Sequence, residues 1–186
     1  MDILGREFYQ GDDVVAIAKA TIGKYIYTII DDIPTAAMII ECEAYSYKEK
    51  GCHAYGAKKT KRNAAMFEEG GVSYVYLCYG IHEMFNIVTN RGGYAEAILV
   101  RAIQPIVGED IMKSRRGSPS YNGPGKVTQA LGIHRSHNNM PLFIGNTIWL
   151  TEGKNIADAN ILESPRIGID YAAEDALLPW RFTLKS

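Results

Sequence analysis

A chain of 186 residues, 47% hydrophobic and 22% charged, is long enough for one domain with a real core and short for two. Its 20 Lys and Arg against 21 Asp and Glu give a net charge of −1, which excludes a uniformly basic nucleic-acid binder, and no apolar run approaches the length of a bilayer span. The start, Met1-Asp2-Ile3-Leu4-Gly5-Arg6, lacks the basic-then-apolar order of a signal peptide, so a cytoplasmic or nucleoid-associated protein is expected.

In chain order, Asp12 or Asp13 is placed to cap a helix through Val14, Val15, Ala18 and Ile22, with Gly23 ending it. Residues 24–30 read as a strand, 31–35 as a turn and 36–45 as a returning strand, which together predict a hairpin. Further strands are expected at 73–79, 94–103, 147–151 and 166–169, with helices over 108–115 and 126–131. Strands outnumber helices, and few are separated by a crossover helix. A mixed α/β (α+β) fold follows: residues 1–186 as a single domain, with a curved, mainly antiparallel sheet (a partial barrel) and peripheral helices.

The longest stretch without a clear element, 46–71, holds Cys52, His53 and the basic cluster Lys58, Lys59, Lys61 and Arg62. Long loops in compact domains are usually functional, so a substrate is expected here. From Lys48 to Lys126 there are 12 Lys and Arg against 7 Asp and Glu, so the flanks carry the negative excess and a basic face is allowed. Cys42, Cys52 and Cys78 are an odd set without CxxC spacing, read as reduced packing thiols.

Alternation puts Glu41, Glu43 and Tyr45 on one strand face, with Ile40, Cys42 and Ala44 on the other. Adjacent carboxylates on an apolar strand are costly unless paired or solvated, and one beside an aromatic is able to position a water. Tyr74 and Tyr76 should share a face, while Tyr79 should point away unless the chain turns there. Such tyrosines either stack on bases or simply pack the sheet. Asn122-Gly123-Pro124-Gly125-Lys126 is a turn before a helix, or a loop presenting N–H groups and Lys126 to a phosphate; it is not a Walker loop. His53 has no partner at metal-ligand spacing, and His134 and His137 lack zinc-helix geometry, so no metal site and no cofactor are expected. Two other readings stay open at this level: a zinc-dependent hydrolase using His53, Glu43 and a thiol, and a noncatalytic nucleic-acid module.

Several segments, taken in order, resemble the alkyladenine (3-methyladenine) DNA glycosylase family. They are Glu41-Cys42-Glu43-Ala44-Tyr45, His53, Arg62-Asn63 before Met66-Phe67, Tyr74-Val75-Tyr76, Tyr79-Gly80, Met84-Phe85-Asn86-Ile87, Leu99-Val100-Arg101-Ala102 and Gly123-Pro124-Gly125-Lys126. The match runs from Leu4-Gly5 to Trp180-Arg181-Phe182. The resemblance implies Glu43 as general base, with Arg101 holding the water and a phosphate. It implies Tyr45, Tyr76 and His53 around an extruded purine, Asn86 at the pocket floor, and Tyr79 as the wedge in the duplex. Arg62 and Lys126 would contact the DNA. The expected activity is hydrolysis of the glycosidic bond of alkylated or deaminated purines in damaged double-stranded DNA, by a monomer. Lys61 stands where many relatives have proline after the threonine, so contacts in that loop should differ.

Overall fold

The computed structural model describes residues 2–185. Asp13 accepts hydrogen bonds from the N–H groups of Val15 and Ala16, both 3.0 Å, and starts helix α1 (Val14–Thr21). The helix buries Val14, Ile17, Ala18 and Thr21 as one stripe. It ends before Gly23, at φ +89°, where an added Cβ would lie 2.4 Å from the Lys154 carbonyl oxygen. Strands β1 (Tyr25–Ile30) and β2 (Ile33–Ser46) form the expected hairpin with a tighter turn than the sequence suggested. Only Asp31 and Asp32 separate the strands, both at positive φ (54° and 59°), as two-residue hairpin turns require.

The remaining elements are β3 (Ser73–Cys78), β4 (His82–Thr89), β5 (Glu96–Val107), α2 (Glu109–Arg116), α3 (Pro124–Leu131), β6 (Ile148–Thr151), β7 (Ile161–Ser164) and β8 (Arg181–Leu184). They form one antiparallel sheet in the order β3-β4-β5-β2-β1-β6, with β8 also pairing β2 and β7 pairing β8. The sheet does not close; residues 138–140 cover the outer edge of β3, where the Asn138 side chain takes the Val75 N–H at 2.9 Å.

Three strands, β4, β7 and β8, are additions to the sequence reading. In β4 only Phe85 and Ile87 enter the main core, while Met84 and Asn86 line a cavity, so the strand carries a weak apolar signal. The strand expected at 166–169 is not formed. Ile167 and Ile169 imitate alternation, but Gly168 at φ +77° turns the chain and all three line the cavity.

The two faces of the sheet are covered differently. On one, α1, α2 and α3 pack on a continuous core that includes Ile26, Ile39, Cys42, Phe85, Val100 and Leu131, each side chain contributing about 1.5–3 kcal/mol by burial. On the other, the long loop 46–71 lies over a smaller cluster of Cys52, Ala54, Ala65, Met66, Tyr74, Val88, Ala95 and Ala97. That loop is held by its own polar groups. Asn63 donates to the carbonyls of His53 (3.0 Å) and Lys58 (2.9 Å) and accepts from the Thr60 N–H at 2.7 Å.

A double irregularity between β2 and β5 decides which residues meet which face. Ile39 lies opposite Ile103, Glu41 opposite Ala102 and Cys42 opposite Val100, so Ile40 and Arg101 have no opposite residue. Before it Ala37 and Ile39 enter the main core; after it Cys42 and Ala44 do. Without the extra residue in β2, Glu41 and Glu43 would point into the apolar core under the helices. At the same place β2 exchanges β1 for β8 as its second neighbour, which brings Arg181 opposite Glu43.

Candidate active site

The loop-covered face contains a cavity of about 470 Å³, in the usual range for small-molecule sites. Its walls come from β2 (Tyr45), the long loop (Gly51, His53, Arg62, Met66), β3 and its turn (Tyr74, Tyr76, Cys78, Tyr79), β4 (Met84, Asn86) and β5 (Ala97, Leu99, Arg101). Pro124 and the loop after β7, with Ile167, Ile169 and Tyr171, complete it.

Glu43 sits directly behind this wall and is fully buried. It is not itself a lining residue, but three lining residues hold it. The Tyr45 hydroxyl donates to Oε2 at 2.7 Å, Arg101 Nη1 to the same oxygen at 3.3 Å, and the Ile167 N–H to Oε1 at 2.8 Å. Three donors converging on one buried carboxylate offset its loss of water. Arg101 also donates through Nε to Glu41 Oε1 at 3.1 Å. The Arg181 guanidinium reaches that oxygen at 3.4 Å.

The aromatic part of the cavity is a cluster of Tyr74, Tyr76 and His53. The Tyr74 and Tyr76 ring centroids are 5.2 Å apart, and His53 lies edge-on to Tyr76 at 4.6 Å. His53 Nδ1 and the Tyr74 hydroxyl share a hydrogen bond of 3.1 Å. Burial, and then the positive charge of Arg62, lower the His53 pKa, so the imidazole is neutral near pH 7. Burial raises the pKa of Tyr45, Tyr74 and Tyr76, which are therefore phenols. Asn86 is tied by Nδ2 to the Tyr74 carbonyl at 3.0 Å, which orients its amide at the cavity wall.

At the mouth, Tyr79 has φ +51° and is 88% exposed, followed by Gly80 at φ +74°. The chain does turn there, at the tip of the β3–β4 hairpin, so Tyr79 leaves the alternation of its strand. At that exposure the Tyr79 ring contributes little to the packing of the sheet. Arg62 lies over the Tyr76 ring at 5.1 Å and donates to the Leu77 carbonyl at 3.1 Å, bridging the long loop to β3. Lys126 is apart from the others. It is half-buried in the first turn of α3, bonds to the Ser120 hydroxyl at 3.0 Å and does not line the cavity. The Gly123 N–H donates to the Arg101 carbonyl at 2.7 Å, fixing the start of α3 beside the site.

Sequence reasoning missed Arg166. Its buried guanidinium forms a forked pair with Glu49 (2.7 and 2.8 Å) and donates to the carbonyls of Ala44 and Asp175. It is also flanked by the rings of Tyr45 (4.7 Å) and Trp180 (5.1 Å). This pair locks the loop carrying Ile167 against the loop after β2, and so places the N–H that holds Glu43. The available signal was an arginine inside the apolar run Pro165-Arg166-Ile167-Gly168-Ile169, which a strand would have buried at high cost.

All three cysteines are free, and burial raises the Cys42 and Cys52 thiols, the latter to about 12, as packing groups would require. Among the described residues no three His, Cys, Asp or Glu side chains come together to hold a metal ion, so the zinc reading has no ligand set. No helix among the described residues is long and apolar enough to cross a membrane.

The family model described as Methylpurine-DNA glycosylase (MPG) matches residues 7–186. A Chlamydia felis protein named "Putative 3-methyladenine DNA glycosylase" is 44% identical over 98% of this chain and 96% of its own length. Proteins of the same name from Carboxydothermus hydrogenoformans (41%; 99% and 96% covered) and Methanocella arvoryzae (39%; 98% and 92% covered) are similar throughout. Of the residues that carried the resemblance, Tyr45, His53, Arg62, Tyr76, Asn86 and Arg101 line the cavity while Cys42, Phe85 and Val100 lie in the main core. The chain belongs to the methylpurine-DNA glycosylase family of DNA repair enzymes.

Proposed function

We propose that residues 1–186 act as one monofunctional DNA glycosylase domain, a monomer that takes an alkylated or deaminated purine out of damaged duplex DNA and hydrolyses its glycosidic bond. The observation that carries this reading is the buried Glu43 carboxylate, held by Tyr45, Arg101 and Ile167 at the back of an aromatic cavity. A damaged base leaves the stack more easily than a paired one, and Tyr79 fills the gap it leaves. The purine lies among Tyr45, Tyr76 and His53. Asn86, with its amide fixed by Tyr74, disfavours a purine with an exocyclic 2-amino group, so ordinary guanine is rejected, whereas 7-methylguanine is released because its cationic ring leaves readily. Arg62 and Lys126 supply positive charge toward phosphates.

As the glycosidic bond breaks, its electron pair leaves with the base and positive charge grows on the sugar. Glu43 stabilises that charge and takes a proton from the water whose oxygen bonds to the anomeric carbon. A cationic alkylated purine leaves as a neutral base. Hypoxanthine must also gain a proton, so its release is slower. The groups bonded to Glu43 are a phenol, a guanidinium and an amide; none is a lysine able to form a Schiff base, so the products are a free base and an intact abasic strand. The range of substrates would include 3-methyladenine, 7-methylguanine, hypoxanthine and ethenoadenine, and the working place would be the cytoplasm at the nucleoid.

The test is Glu43→Gln assayed on single-lesion duplexes, with released bases identified by mass. Loss of base release with retained lesion binding is expected. Excision at near wild-type rate by that variant would remove Glu43 from the mechanism.

A further inference from the structure

Glu43 is the end of a chain of alternating charges that begins outside the cavity. Arg181 on β8 meets Glu41 on β2 at 3.4 Å, Glu41 meets Arg101 on β5 at 3.1 Å, and Arg101 meets Glu43 at 3.3 Å. All four side chains are largely withdrawn from solvent, with exposures of 24%, 16%, 12% and 0%. The irregularity in β2 and β5 and the change of neighbour from β1 to β8 are what bring them together.

We infer that Glu41 and Arg181 are positioning residues that set the proton affinity of Glu43 by sharing Arg101 with it, an inference that rests on the proposed role of Glu43 as the base. Arg101 divides its donors: Nε goes to Glu41, and Nη1 reaches Glu43 at a distance long for a charge-assisted bond. A guanidinium free of Glu41 would close on Glu43 with both nitrogens. That would stabilise the carboxylate and weaken it as a base, because opposite charge at close range in a water-poor site favours the ionised form. Glu41 prevents this by competing, and Arg181 limits the competition by holding the same Glu41 oxygen. The other titratable or charged groups near Glu43 are Tyr45 on its own strand face, Cys42 on the opposite face of that strand and Arg166 from the loop after β7. Tyr45 is a phenol, Cys42 a thiol and Arg166 is committed to Glu49, so none of them opposes the effect.

The test is the pH–rate profile of single-turnover excision from a duplex containing 7-methylguanine, whose base needs no proton to leave. Glu41→Gln removes an anion and should move the acid limb to lower pH by about one unit, while the plateau falls about three- to ten-fold. Arg181→Gln removes a cation and should move the limb to higher pH by about half a unit, and the double variant should lie near wild type. Arg181→Lys keeps the charge and should keep the limb in place. A merely structural role would lower the rate at every pH and shift nothing. If Glu43→Gln is inactive while both single variants keep the wild-type limb, or shift it the same way, the inference is overturned and the base assignment stands. If Glu43→Gln remains active, the base assignment falls and the inference falls with it.

Discussion

The two faces of the sheet solve different problems with the same strands. The helix-covered face is filled by apolar side chains whose contributions depend on volume, and the side chains of Ile39, Phe85 and Leu131 carry no polar atom that needs a partner. The loop-covered face buries Glu43, Glu49, Asn63, Asn86 and Arg166, each of which is tolerable only because named partners reach it. Stability belongs mainly to the first face. The second contributes less, since a buried carboxylate or arginine adds little net stabilisation even when well paired.

Variants on the two faces should therefore fail in different ways. The largest effect expected is on catalysis. Glu43→Gln should slow base release by about 10²- to 10⁴-fold while leaving thermal stability equal or higher, since it removes a buried charge. A fall in stability of the same variant would mean that the loop face is structural after all. Arg166→Met should cost about 3–5 kcal/mol in urea unfolding, because it leaves Glu49 buried with its cation gone. It should also lower the excision rate of molecules that remain folded, since Ile167 loses its anchor. Phe85→Ala should cost about 3–5 kcal/mol by leaving a cavity, but spare the rate per folded molecule. A rate loss for Phe85→Ala as large as that of Arg166→Met would erase the distinction between the faces.

Tyr79→Ala should weaken binding to a lesion in duplex DNA by about ten-fold or more, the loss of one aromatic–base stack. The same variant should bind nearly normally when the lesion lies in a preformed bulge; equal losses on both substrates would remove the wedge role. The smallest effect concerns His53. Burial and Arg62 hold its folded-state pKa below the ordinary 6.5, so its neutral form contributes stability that is fully present above pH 6.5 and is lost as pH falls through the lowered value. His53→Gln should flatten that part of the stability curve, measured by urea midpoints in steps of half a pH unit. A curve unchanged by the substitution would show that another group titrates.

Parts of this were legible before any coordinates. A cap at Asp12 or Asp13, the hairpin around Asp31 and Asp32, and helices over 108–115 and 126–131 follow from local backbone preferences, which act over a few residues whatever the rest of the chain does; the structure chose Asp13 and began the last helix at Pro124. The residues of the candidate site were also visible, as a set carried by resemblance. Strands β7 and β8 were not, because four residues with one buried carry too little periodic signal, and β4, eight residues long, was masked because its Met84 and Asn86 face the cavity and break the apolar alternation.

Local chemistry in the sequence thus determined the caps, the turns and most of the apolar stripes, because those depend on neighbours along the chain. Only the tertiary structure decided that Glu43 meets Arg101 and Ile167, and that Arg166 serves as an anchor where a strand was expected. The reason is geometric. One extra residue in β2 and one in β5 reverse the face of every side chain beyond them while the register is kept, and Arg101 and Ile167, the partners of Glu43 outside its own strand, lie more than fifty residues away, where no local pattern reaches.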